Sequence, residues 1–241
     1  MIKYFSLKIL SFFDFYYQKK LFSFLKNRGY KNFNFLFDIG AHHGESIKLF
    51  LNNFKIKNIF SFEASNENFK ILEKNTKKLK KKFNDVNISI ENFAVGNEEK
   101  IVKMKQMNES SSSTLNSYNV KSKYFKKKSL FLFNSKNQNF FSEIDVKQVS
   151  LSNYITEKNI NKIDFIKIDT EGYEYYVLKG LQNQFRKTKL ILFEHHYDNM
   201  LIKNYKFSDI HNFLLKNNFK QIYKYKMAFR KTFEYVYELQ E

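Results

Sequence analysis

The chain contains no cysteine, no proline and only six glycines in 241 residues. Without cysteine it forms no disulfide, offers no thiolate nucleophile and builds no cysteine-based zinc site, and it suits a reducing compartment. Without proline, its turns fall to Asn, Asp, Ser and Gly. Uncharged apolar runs of the ~20 residues needed to span a membrane are also missing. The aromatic N-terminus MIKYFSLKILSFFDFYYQKKLFSFLK is interrupted by Lys8, Asp14, Lys19 and Lys20, and no small-residue cleavage site follows it. No signal peptide is expected, and the expected location is cytoplasmic.

Aromatic and basic residues are abundant. The 29 Phe and 16 Tyr, within a hydrophobic fraction of 43%, supply ample core for one large domain or a domain with a small appendage. A net charge of +18 ordinarily points to nucleic acid or a membrane surface. Here Lys rises together with Asn, Ile, Phe and Tyr, as AT-rich coding would produce. The Lys runs at 77–82 and 121–128 are therefore read as solvated surface. A general positive field that favours phosphorylated substrates is what remains of the charge.

Periodicity gives the order of elements. An N-terminal helix over about 2–26 is expected to pack on the domain or on a second subunit, making a homodimer; contact with a membrane surface is the alternative. Strands are expected at 34–40, 57–64, 87–95, near 100–106, at 143–151, 164–169 and 189–196, and helices at 45–53, 66–80, 150–159, 172–183 and 207–218. The stretch 107–142 has no clear period and reads as a mobile insertion or lid. Segments 219–227 and 231–239 form an antiparallel hairpin. The domain division is thus an N-terminal extension over 1–30 and one α/β domain over 31–241. Alternating strands and helices imply a mostly parallel sheet with right-handed crossovers.

Four constellations carry chemistry. In DIGAHHGES, Gly40 turns the first strand sharply and Gly44 starts a helix whose free N–H groups can receive an anion. The Gly-x-x-x-Gly spacing departs from the dinucleotide fingerprint. Glu63 ends the next strand, 23 positions after Gly40, where an acid can accept hydrogen bonds from ribose hydroxyls. In IDFIKIDTEGYEYYVLKG, Asp169 and Glu171 stand at the strand end facing the ligand crevice of an open sheet, and Lys167 is expected to pair with Asp169. Gly180 is expected to cap the helix that follows. In LILFEHHYD, Glu194 and His196 share a strand face and could act as an oriented general base. Adjacent histidines on a strand diverge, so neither 42–43 nor 195–196 is expected to hold a metal.

The ordered set DIGAHHGES, FSFEASNENFKILEKN, ENFAVGNEE, SSSTL, VSLSNYI, IDFIKIDTEGYEYYVLKG and LILFEHH resembles the FkbM family of S-adenosylmethionine-dependent methyltransferases over roughly residues 35–200. The terminal antiparallel hairpin also suits such an enzyme better than a dehydrogenase. The resemblance implies a class I methyltransferase (Rossmann-like) sheet of seven strands and O-methylation of a small hydroxylated acceptor. A sugar or nucleotide-linked sugar of a bacterial surface polysaccharide pathway is the implied class. It also implies that Asp38, Gly40, Ala41 and Gly44 line the methionine part of the cofactor, with Glu63 on the ribose and Ala64 beside the adenine. Asn92 and Ala94 would lie near the adenine edge. Asp169, Glu171, Glu194 and His196 would face the acceptor. Within that catalytic set, His196 is read as the base and Glu194 as the group that orients it. A divalent metal is not expected, though Asp169 and Glu171 could take one. His42 stands where the family usually has Asn, and Ala64 where Pro commonly follows the acid.

Two other readings use the same residues. The charge suits a ribose 2′-O-methyltransferase acting on RNA. Against base N-methylation, the chain has DTEG where a proline-rich aromatic loop would be, and the lack of cysteine removes C5 methylation. A non-catalytic module that binds the cofactor or a membrane through 1–26 is the third reading.

Overall fold

A computed structural model describes residues 16–108, 112–133, 140–228 and 230–240. Its centre is a seven-stranded sheet in the order β11-β12-β9-β8-β1-β2-β3. The strands are β1 (Asn32–Ile39), β2 (Lys55–Phe62), β3 (Asn87–Glu91), β8 (Ile163–Ile168), β9 (Thr188–His196), β11 (Phe219–Lys226) and β12 (Thr232–Leu239). Neighbours from β3 through β9 pair in parallel, and β12 runs antiparallel to both β9 and β11. This is the class I methyltransferase arrangement, closed by the antiparallel hairpin expected from the C-terminal pattern.

Alternation along β1 shows why the sheet is covered on both sides. Phe37 and Ile39 face one apolar cluster with Tyr154, Val177, Phe185 and Leu214; Leu36 faces the other with Leu21, Phe50, Ile59 and Leu72. The second side carries a helix over residues 16–27 (α1), α2 (Glu45–Asn53) and α3 (Asn66–Lys82). The first side carries α5 (Leu151–Glu157), α6 (Glu174–Lys179), a 3₁₀ turn over Gln182–Lys187 and α7 (Phe207–Lys216). Helix α3 starts as its sequence prescribes, with Ser65 Oγ accepting the Asn68 N–H.

The described part of the N-terminal helix packs on the domain. Leu21, Phe22 and Leu25 are buried in the core, and Phe24 and Tyr17 sit against Tyr223 and Tyr225 of β11. Residues 1–15, where the rest of the expected helix and of the membrane-surface reading falls, lie outside the described residues. No helix among the described residues is long and apolar enough to cross a membrane.

The single strand expected over 87–95 is two. The chain leaves the main sheet after Glu91, and β4 (Ala94–Gly96) joins β7 (Phe141–Ser150) and β5 (Lys100–Met107) in a second, three-stranded sheet. The segment 107–142 holds a short strand β6 (Ser117–Tyr118) and a helix α4 (Lys123–Phe133); residues 109–111 and 134–139 are outside the described residues. Strand β6 pairs with β10 (Leu201–Ile202), and Met107, Tyr118, Phe125, Met200 and Leu201 close a small core there. A two-residue strand and a helix whose Lys and Phe show no apolar stripe leave no periodic trace in sequence.

Gly180 is the C-cap of α6, as expected, though not in the left-handed conformation. Its φ is −67°, open to any residue, but a Cβ there would lie 2.0 Å from the Gly96 carbonyl oxygen. The requirement is close approach of α6 to β4.

Candidate active site

The crevice lies beyond the carboxyl ends of β1, β2 and β8, the position at which open α/β sheets bind ligands. Gly40 makes it possible. With φ +80° it turns β1 away, and a Cβ would stand 1.9 Å from the Asp169 carbonyl oxygen, so β1 and β8 end side by side only if the residue has none. The next turn places His42 in the left-handed region at φ 49°, and Gly44 begins α2.

Glu63 is 8% exposed at the end of β2. Its Oε2 accepts the His42 N–H at 2.8 Å and its Oε1 the Ser65 N–H at 2.9 Å. Burial raises its pKa, and those N–H groups offset part of the rise. The carboxylate is therefore oriented from behind and lines the crevice with Ile39, Gly40, His42, Ala64 and Asn68. Phe62, Phe93, Ala94, Val95, Met104 and Leu115 provide apolar lining. Asn92 does not belong to that lining; its amide donates to the carbonyls of Glu63 and Ala64 and braces the loop. Ala41 is packed into the core with Ile47, and Gly44 lies outside the lining too.

Asp38 sits below the crevice, fully buried, in register with Lys167 of β8. Lys167 Nζ is 3.3 Å from Asp38 and 3.2 Å from Asp169, and Ser46 Oγ donates to Asp38 at 2.5 Å. Burial alone would lower the Lys167 pKa; Asp169, Asp38 and Glu194 outweigh it and hold the ammonium charged. The expected Lys167–Asp169 pair is thus present, and it extends to Asp38. Asp38 acts here as a buried anchor between β1 and β8.

On the other side of the crevice stand Asp169, Thr170, Glu171 and Tyr173. Glu174, fully buried, organises this turn by accepting from the Gly172 N–H at 2.7 Å and the Tyr205 hydroxyl at 2.8 Å. Residues 113–116 close over it: Thr114 Oγ1 donates to the Glu171 carbonyl at 2.6 Å, Asn116 donates to the Gly172 carbonyl at 2.6 Å, and Ser113 to Leu115 line the crevice. Sequence reasoning assigned no site role to these residues or to Thr170, Tyr173 and Glu174. The available signals were the SSSTL motif and the second acid of EGYE.

His196 does not stand against Glu194, the partner expected for it. Its Nε2 lies 3.4 Å from Glu171, and its Nδ1 is 3.1 Å from Thr232 Oγ1 and 3.7 Å from Asp198. Burial lowers its pKa, but Glu171, Asp198 and Glu194 overcome that and raise it to about 9. The ring is an imidazolium at neutral pH, the wrong form for a base. Glu194 is not its orienting partner, since both ring nitrogens face other groups. Glu194 lies opposite Glu234 on β12, and burial, Asp169 and Glu234 raise its pKa well above the carboxylate range. His195 points to the opposite face, into Tyr197, Tyr205 and Phe207, and burial keeps it neutral with a pKa of about 3.

Comparison with known proteins agrees with this architecture. No curated protein matches the chain. Among solved structures, a methyltransferase FkbM from Methylobacillus flagellatus superposes with a TM-score of 0.57 at 14% identity, over 85% of this chain and 43% of that one. This chain thus spans less than half the length of that relative. The magnesium protoporphyrin IX methyltransferase ChlM of Synechocystis, solved with bound S-adenosylmethionine, gives 0.51 at 9% identity, over 92% of this chain and 78% of that one. A Rossmann-superfamily protein from Streptococcus agalactiae gives 0.50 at 14% identity, covering 91% and 68%. At such identities the likeness shows the fold. The methyltransferase FkbM domain model itself matches residues 38–221, from the buried Asp38 through the crevice to β11, and on that match the chain belongs to the FkbM methyltransferase family.

Proposed function

We propose that the protein transfers a methyl group from S-adenosylmethionine to a hydroxyl of a small acceptor, a sugar or nucleotide-linked sugar. The observation that carries the reading is Glu63, a carboxylate held by two backbone N–H groups at the end of β2 beside apolar lining. That pairing suits a ribose diol next to an adenine ring. Gly40, Ala64, Asn68 and Ala94 complete the cofactor side, with Asp38, Ala41, Gly44 and Asn92 supporting the loops from behind.

Bound there, the sulfonium supplies an electrophilic methyl group. The chain's own part is to align the acceptor oxygen and to take its proton. Alignment contributes up to ~7–11 kcal/mol in favourable cases. Asp169 and Glu171 are the carboxylates placed to hold acceptor hydroxyls. Either is able to take the acceptor proton, each having one cationic neighbour, Lys167 beside Asp169 and His196 beside Glu171. A carboxylate suffices, since a hydroxyl oxygen becomes strongly acidic as it gains the methyl group. His196, as a fixed cation, holds Glu171 in place. The test is a screen of nucleotide-linked and free sugars with methyl transfer read by mass. A shift of one methyl group on a sugar hydroxyl supports the proposal; turnover on RNA alone would overturn the acceptor class.

A further inference from the structure

We infer that His42, His43 and Glu45 form a binding site for a divalent transition metal of the zinc class. The expectation that these histidines diverge fails because they lie in a turn. With His42 at φ 49° the two imidazoles fall on the same side and stack, centroids 3.6 Å apart and planes 24° from parallel. Both present Nδ1 to one atom, Glu45 Oε1, at 3.4 Å from His42 and 3.6 Å from His43. One donor atom from each of the three residues falls within 4.8 Å of the others. Around a tetrahedral zinc with bonds of ~2.0–2.1 Å, neighbouring donors stand about 3.3 Å apart, close to those separations.

The surroundings hold the donors as ligands are usually held. The second oxygen of Glu45 accepts the His43 N–H at 3.2 Å, which leaves Oε1 to face the imidazoles. The His43 carbonyl accepts from Asn75 of α3 at 2.9 Å, and the His42 N–H is fixed on Glu63. Glu45 is 61% exposed and the rings about a quarter exposed, so an ion and a water at the fourth position have an open approach. Two imidazole nitrogens and one carboxylate oxygen favour Zn²⁺, and Cu²⁺ by the general affinity order, over Mg²⁺ or Ca²⁺.

The test is calorimetric titration of full-length, tag-free, chelator-stripped protein with zinc chloride. One equivalent is expected to bind, with no heat from magnesium. His43→Ala and Glu45→Gln should each weaken zinc by at least about tenfold, and His211→Asn on α7 should leave it unchanged. Circular dichroism in chelator confirms that each variant folds, and His42→Asn replaces any that does not. Failure of the wild type to take up zinc at about 100 µM would overturn the site. So would unchanged affinity in the double variant His43→Ala/Glu45→Gln.

Discussion

Three glycines separate two physical requirements that a sequence presents as one. Gly29 has φ +90° with no atom within 4 Å of a Cβ, so Gly29→Ala meets only the left-handed backbone penalty, ~1–2 kcal/mol. Gly180 has an ordinary φ of −67°, but its Cβ would stand 2.0 Å from the Gly96 oxygen. The obstacle is backbone and cannot rotate away, so Gly180→Ala costs the ~1–3 kcal/mol of overpacking. Gly40 combines both, with φ +80° and a 1.9 Å approach to the Asp169 oxygen, and Gly40→Ala should lose ~2–5 kcal/mol. At about 2–4 °C per kcal/mol for a chain of this size, its melting temperature falls by roughly 4–20 °C. Urea unfolding of the three variants by circular dichroism measures the series. Gly40→Ala no worse than Gly29→Ala, or Gly180→Ala within about 0.5 kcal/mol of the parent, would refute the reasoning.

Removing Lys167 tests the buried pair. Lys167→Met leaves the buried Asp38 without its counter-ion, expected to cost ~3–5 kcal/mol in urea unfolding, and the double variant with Asp38→Asn should recover most of it. Equal losses in the single and double variants would contradict the pairing. His196 makes two pH predictions. Its folded pKa is raised from 6.5 to about 9, so its stabilisation is complete below about 6.5 and lost as pH rises through 9, on the order of 3 kcal/mol. With His196 as a fixed cation, kcat/KM falls above about pH 9; a histidine base would make it rise towards 9 instead.

The fold was legible because its elements are periodic and bounded by ordinary signals. Helix α2 occupies the expected residues, and Ser65 starts α3 as a Ser cap should. The order of strand ends also placed Gly40, Glu63, Asp169 and Glu171 around one crevice. What stayed hidden depends on contacts between distant segments. The split at Asn92 and Phe93, which sends β4 to a second sheet, is decided by pairing with β7, about fifty residues further on. The charge of His196 depends on Glu171 and Asp198 from outside β9, and the stacking of His42 on His43 on a single left-handed residue. Strand alternation, which guided both histidine readings, carries none of that.

The central claim is that the crevice beside Glu63 is the cofactor site, and calorimetry with S-adenosylhomocysteine tests it most directly. The account predicts one equivalent bound per chain and an affinity at least about tenfold weaker for Glu63→Gln, which keeps the shape but not the charge. No binding at millimolar ligand, or equal binding by the folded variant, would contradict it.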